Sequence, residues 1–110
     1  MENILLNNDE LTQLCKDIRS FYKNKSYDIC NELICDAMKK YPHSPIPHNL
    51  LGLILEKTGQ HICAMKHFRA AWALDPTYLP ARQNLEYYGT LFYRKGNIAF
   101  DESDCKDEWL

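Results

Sequence analysis

The stretch Pro47–Pro76 decides the fold of this 110-residue chain and reads PHNLLGLILEKTGQHICAMKHFRAAWALDP. Two apolar segments with helical periodicity meet at Gly59, and Pro76 ends the second one. Glycine adopts turn conformations that other residues avoid, and proline cannot continue a helix because it lacks the backbone N–H. Two helices approach closely only where they present small residues, here Gly52 and Ala64. The stretch therefore predicts a closely packed helical hairpin.

The spacing of these residues resembles the tetratricopeptide repeat, a helix–turn–helix unit of about 34 residues. Six residues stand where that motif has them: Leu51, Gly52, Ala64, Phe68, Ala71 and Pro76. His48 replaces the Trp of the motif, and Leu55 replaces its Tyr. The resemblance implies an all-α fold, a TPR-like right-handed superhelix of antiparallel helix pairs (an α-α solenoid) with about five helices.

A second, degenerate repeat precedes this one. A shift of 34 residues places four positions of the second helix on the fourth: Cys30 on Ala64, Ile34 on Phe68, Ala37 on Ala71 and Pro42 on Pro76. We therefore predict a TPR-like helical domain over residues 1–96, with repeats at about 11–44 and 45–78 and a terminal helix at about 78–94. One helix pair cannot bury its apolar face alone, so stacked neighbours are required.

Residues with capping side chains mark the predicted helix starts. Asn8 or Asp9 is expected to cap the first helix and Ser26 the second. Ser44, followed by Pro45, is expected to begin the third helix, and Thr77 is expected to cap the fifth.

The residues after Gly96 form an acidic tail. Residues 97–110 carry five acidic side chains against Lys106, a net charge of −4 that leaves +2 on residues 1–96. This composition predicts a flexible tail over 97–110. The apolar residues of the tail that are available for docking are Ile98, Phe100, Trp109 and Leu110.

The composition, 45% hydrophobic and 25% charged, is ordinary for a globular protein. The body lacks the clustered basic face of nucleic-acid-binding proteins. No apolar run reaches the length of about 18 residues that spans a membrane, and the first residues do not resemble a signal peptide. Five cysteines, an odd number, are typical of reduced thiols. We therefore predict a cytoplasmic protein with no nucleic-acid or membrane partner.

The sequence shows no constellation of catalytic residues. The four glycines are scattered and form no phosphate-binding loop. Cys63 and His67 lie one helical turn apart, the spacing of half a metal site, and Cys30 with Cys35 are candidates for the other half. A structural zinc site needs four converging ligands, so ordinary helix positions are the simpler interpretation. We predict no enzyme activity, no metal and no cofactor.

In the tetratricopeptide family, the first helices of successive repeats line a concave groove that receives an extended peptide or a partner helix. The resemblance therefore implies a non-enzymatic protein–protein interaction module, an adaptor or co-chaperone-like scaffold. The groove residues carried over by matching position are Arg19, Tyr22, Asn49, Leu53, Glu56, Lys57, Gln83 and Tyr87. Asn49 is the strongest candidate, because a carboxamide both donates to and accepts from a peptide backbone.

One subclass of the family clamps the C-terminal carboxylate of heat-shock chaperones with Lys, Asn, Asn, Lys and Arg. The matching positions here are Cys15, Arg19, Leu50, Pro80 and Asn84. Only Arg19 has a suitable charge, so the resemblance does not extend to that clamp.

Two alternatives stay open. A chain of about two and a half repeats exposes apolar helix ends, so it can be a self-associating module, a homo-oligomer, or a subunit of a larger complex. The acidic tail can also dock in the weakly basic groove of its own chain until a partner displaces it.

Overall fold

The computed structural model describes residues 2–90 and 97–105, and the side chains of residues 9–90 and 97–105. The described residues form five α-helices and one short 3₁₀ helix, with no β-strand: α1 (Glu2–Lys23), α2 (Tyr27–Lys40), α3 (Pro45–Lys57), α4 (His61–Leu74), α5 (Leu79–Gly89) and the 3₁₀ helix Glu102–Asp104. The all-α prediction with about five helices is confirmed. Within the described residues, no helix combines the length and apolarity required to cross a bilayer.

The backbone repeats with a period of 34 residues. Helix α4 spans residues 61–74 and α2 spans residues 27–40, and α5 begins at residue 79 where α3 begins at residue 45. The turns repeat as well, because Lys25 has φ = 60° and Gly59, at the equivalent place, has φ = 81°. The N–H of Ser26 donates to the carbonyl of Phe21, and the equivalent bond joins Gln60 to Leu55. The two helices of each pair are thus joined by the same type of turn, in which one residue has the left-handed backbone conformation.

The helix starts agree with the predicted caps only in part. Ser44 caps α3, since its side chain accepts a hydrogen bond from the N–H of Ile46 at 3.2 Å. Ser26 occupies the N-cap position of α2 without a side-chain bond. The residue at the N-cap of α5 is Tyr78, and the hydroxyl of Thr77 donates to Oδ1 of Asp75 at 2.6 Å. The Thr77 cap is therefore wrong.

Both ends of the predicted array also differ from the structure. Helix α1 begins at Glu2, so the predicted cap at Asn8 or Asp9 is wrong. Polar residues cost little inside a helix, and the helical backbone runs through both positions. Helix α5 ends at Gly89 because Thr90 is extended, with φ = −86° and ψ = 127°. The predicted continuation of this helix to about residue 94 lies mostly outside the described residues.

The core is centred on the contact between α3 and α4. Gly52, Ala64, Phe68 and Ala71 are fully or almost fully buried, as the small-residue pattern predicts. A methyl group built on Gly52 would lie 2.7 Å from Cδ1 and Cζ of Phe68. The ring of Phe68 therefore occupies the space that a side chain at residue 52 would need.

The ring of Phe68 also packs against α5. It stacks on Tyr88 with the ring centroids 5.9 Å apart and the planes 6° from parallel. Ile18 of α1 and Ile34 of α2 are fully buried in the same cluster. All five helices thus adjoin one apolar core.

We expect Gly52→Ala to lower the free energy of unfolding by about 1–3 kcal/mol, because the new methyl overlaps a fully buried ring. Urea unfolding followed by circular dichroism measures this. Gly89→Ala is the matched control, since its Cβ would meet only Met65 Cε at 3.4 Å. Equal stability of Gly52→Ala and wild type would show that the two helices do not approach as described.

Candidate functional site: the surface covered by residues 97–105

Helix α3 contacts both α1 and α5, and residues 97–105 lie across these three odd-numbered helices. We call residues 97–105 the tail segment. The side chains that engage it come from all three helices, and we call them the tail-contact surface: Arg19, Tyr22, Asn49, Gln83 and Asn84.

Two asparagines hold the backbone of Ala99. The carbonyl of Ala99 accepts from Nδ2 of Asn49 at 3.0 Å and from Nδ2 of Asn84 at 2.8 Å, and its N–H donates to Oδ1 of Asn84 at 2.8 Å. Asn84 also donates to Oδ1 of Asn49 at 2.8 Å. All three residues are fully buried. The carboxamide of Asn84 thus satisfies both backbone polar groups of Ala99, as a neighbouring β-strand would.

Gln83 joins the two ends of the tail segment. Its Nε2 donates to the carbonyl of Asn97 at 2.6 Å and to the carbonyl of Asp104 at 3.1 Å. Between these points the segment turns through its own 3₁₀ helix, where Asp101 accepts from the N–H of Ser103 at 3.0 Å and Asp104 accepts from the N–H of Phe100 at 2.9 Å. The tail segment is therefore a closed turn rather than a single extended strand.

Arg19 binds the acidic end of the segment. Its Nη1 and Nη2 donate to the two carboxylate oxygens of Asp104 at 3.1 and 2.7 Å, and Asp101 lies 3.5 Å away. The guanidinium also lies 4.8 Å from the ring centroid of Phe100. The ring of Tyr22 meets the same phenyl group edge to face at 5.0 Å. A bidentate charged pair and a cation–π contact therefore fix one aromatic and one acidic residue.

Opposing effects act on the pKa of Asp104. Burial raises it, but hydrogen bonds from Arg19 and from the N–H of Phe100 outweigh burial, so the pKa lies below the ordinary value of 3.8. The hydrogen bond with Asp104 likewise raises the pKa of Arg19. Both groups are charged near neutral pH, and their pairing favours the docked tail segment.

The other predicted groove residues lie next to this surface. Glu56, Lys57 and Tyr87 line a pocket of about 430 Å³ together with Tyr22, and the tail residues Asn97 and Ile98 form its other wall. Leu53 is fully buried in the main core, so it does not line this pocket.

Asn84 is a functional candidate that the groove prediction did not include. A shift of 34 residues places it on Leu50, and both residues match positions of the carboxylate clamp, but Asn84 was set aside there because it lacks a positive charge. The flexible tail over 97–110 stays a prediction for the range as a whole; within its described part, Ala99 and Phe100 are buried. Ile98 and Phe100 dock on the domain, whereas Trp109 and Leu110 lie outside the described residues.

The second polar cluster is a histidine pair between α3 and α4. Nδ1 of His48 and Nδ1 of His67 are 3.0 Å apart, and the rings stack with centroids 5.2 Å apart. Burial lowers the pKa of both imidazoles. Cys63 is exposed. In the described part of the chain, no three His, Cys, Asp or Glu side chains are grouped to hold a metal ion.

Comparisons with protein-family models, with curated proteins and with solved structures find no match to this chain.

We expect Arg19→Gln to raise the pKa of Asp104, because the hydrogen bonds from the guanidinium are lost while burial remains. The folded-state pKa lies below the unfolded value, so this pair contributes stability above about pH 3.8 and loses it as the pH falls through the folded pKa. Carbon-13 NMR titration of the side-chain carboxyl measures the shift. Glu102→Gln, which changes the charge of an exposed neighbour, is the control. An unchanged pKa in Arg19→Gln would mean that the pair does not form in solution.

Proposed function

We propose that this chain is a TPR-like, non-enzymatic protein–protein interaction module that binds an extended segment of another protein on the tail-contact surface. The observation that carries the proposal is the binding of the Ala99 backbone by Asn49 and Asn84. These side chains engage N–H and C=O groups that every protein ligand offers. The site is therefore suited to a peptide rather than to a small metabolite.

The 34-residue period of the backbone supports the finer description as a superhelix of repeats. In such an array the first helices of successive repeats share one face, and here α1, α3 and α5 provide every residue of the tail-contact surface. A concave groove, a role as adaptor or co-chaperone-like scaffold and a cytoplasmic location follow from the resemblance and belong to the same proposal. The acidic tail then acts as an occupant that a partner must displace.

Affinity capture from native cell lysate tests this function. The bait is the full chain with Phe100→Ala and Asp104→Asn, which weaken the tail segment without altering the surface beneath it. The comparison bait carries Asn84→Ala in addition, which removes the carboxamide that bonds both polar groups of Ala99. We expect proteins captured by the first bait to be reduced at least about tenfold on the second, because a buried carboxamide with several hydrogen bonds contributes well over 1 kcal/mol.

Two controls accompany the capture. Glu102→Gln changes one exposed acidic residue of the tail and should behave as wild type. Circular dichroism of every bait confirms that the helices persist. Identical sets of captured proteins on the two baits would contradict binding through this surface.

A second candidate function, self-association, is favoured by exposed apolar residues on the even-numbered helices. Ile62 in the first turn of α4 is 72% exposed, and Ile29 in the first turn of α2 is 43% exposed. Isolated exposed apolar residues are common on monomers, so this observation is weaker than the first.

If self-association is the function, sedimentation velocity should show a mass that rises with protein concentration, and Ile62→Glu should abolish the rise. Lys66→Glu, an exposed change on the same helix, is the matched control. A monomer at all concentrations would exclude this candidate.

A further inference from the structure

The tail segment specifies the chemistry of a ligand. Its backbone contacts with the tail-contact surface are made by Asn97, Ala99 and Asp104. Its side-chain contacts are made at fixed spacing by Phe100, Asp101 and Asp104. We propose that the segment is an internal copy of the natural ligand, and that this surface recognises in a partner protein the pattern small–aromatic–acidic–x–x–acidic. This inference rests on the proposed function and names the partner segment by its chemistry.

The small residue is required by burial. Ala99 is fully buried, with two asparagine side chains bonded to its backbone. A larger side chain there would have to displace packed neighbours, and overpacking of this kind weakens association. The first position of the pattern therefore accepts Gly, Ala or Ser.

The aromatic and acidic positions are required by Arg19. Its guanidinium lies beside the ring of Phe100 and forms two parallel hydrogen bonds with Asp104. The carboxylate of Asp101 lies 3.5 Å from the same guanidinium and also bonds the N–H of Ser103, which shapes the turn. A ligand with one aromatic ring and two carboxylates at these intervals makes all of these contacts at once.

The polar character of the surface favours an exchangeable ligand over a permanent part of the core. Asn49, Gln83 and Asn84 are almost fully buried, and the tail segment satisfies hydrogen-bonding groups on all three. When the segment leaves, water reaches these carboxamides, so their hydrogen bonds are replaced rather than lost. The pocket beside Asn97 and Ile98 extends the surface beyond the segment and offers additional contacts to a longer ligand.

The test measures binding of a peptide in trans to the full chain. The probe is a fluorescein-labelled, end-capped peptide of residues 97–105 carrying C105S, read by fluorescence anisotropy. Wild type should bind it weakly, because its own tail segment holds the site at a high effective concentration. Phe100→Ala with Asp104→Asn in the chain should bind it at least about tenfold more tightly, since the competent fraction rises.

Specificity is tested on the same variant chain. A minimal peptide that keeps the four pattern residues and has Gly or Ser elsewhere should retain affinity within about tenfold, whereas A99L, F100A or D104N in the peptide should each reduce it about tenfold or more. Arg19→Ala added to this variant chain should abolish binding, and Glu102→Gln added to it should leave the affinity of the variant unchanged. If the double variant unfolds, the single variant Asp104→Asn, which preserves side-chain volume, replaces it as the tail-weakened chain.

Three outcomes would overturn the inference. Binding that survives Arg19→Ala would place the peptide elsewhere. No binding to any folded, tail-weakened variant would make the segment a fixed part of the fold. A wild-type dimer that dissociates when the tail is weakened would assign the surface to a second copy of the chain. If the peptide binds to the chain but affinity capture recovers no protein from lysate, only the proposed function is contradicted.

Discussion

The approach of α3 to α4 at Gly52 is the constraint on which the other contacts depend. Because residue 52 has no side chain, the ring of Phe68 fits against the α3 backbone and still stacks on Tyr88 of α5. Tyr88 in turn shares a hydrogen bond with Tyr22 of α1. The absence of a side chain at residue 52 therefore allows the packing that positions α1, α3 and α5, the three helices that supply the tail-contact surface. Asn84 lies one helical turn before Tyr88 and is positioned by the same packing.

The tail segment adds polar contacts to this apolar frame. A neutral hydrogen bond contributes about 0.5–1.5 kcal/mol and a charged one about 1.5–3 kcal/mol, while free association costs at least about 4 kcal/mol in translational and rotational freedom. A segment tethered to its own site avoids most of that cost. The few contacts of Ala99 and Asp104 are thus enough to hold the tail in cis. Under the proposed function, a partner with the same contacts needs additional surface to displace the tail, and the adjoining pocket at Glu56, Lys57 and Tyr87 offers it.

The sequence predicts the parts of the structure that local pattern controls. The turn at Gly59 and the Ser44 cap depend on residues a few positions apart, and the helix spacing follows a 34-residue period. The close contact of Gly52 with Phe68 joins the two helices of one hairpin. The helix ends at Glu2 and Gly89 were not predicted, because capping residues such as Asn8 also occur inside helices. Helix termini are decided by tertiary contacts as much as by propensity.

The residues of the candidate site were predictable only where the position of a residue in the repeat determines which face of the helix it occupies. Arg19, Tyr22, Asn49 and Gln83 follow from the register of the first helices, and all four contact the tail segment. Asn84 was considered only for the carboxylate clamp, where its uncharged side chain does not fit, and its equivalent one repeat earlier is the core residue Leu50. Its polar side chain is fully buried because the tail segment covers it and satisfies its hydrogen-bonding groups. A buried polar residue at a position that its repeat partner fills with an apolar one therefore indicates an occupant. In this chain that occupant is the backbone of Ala99.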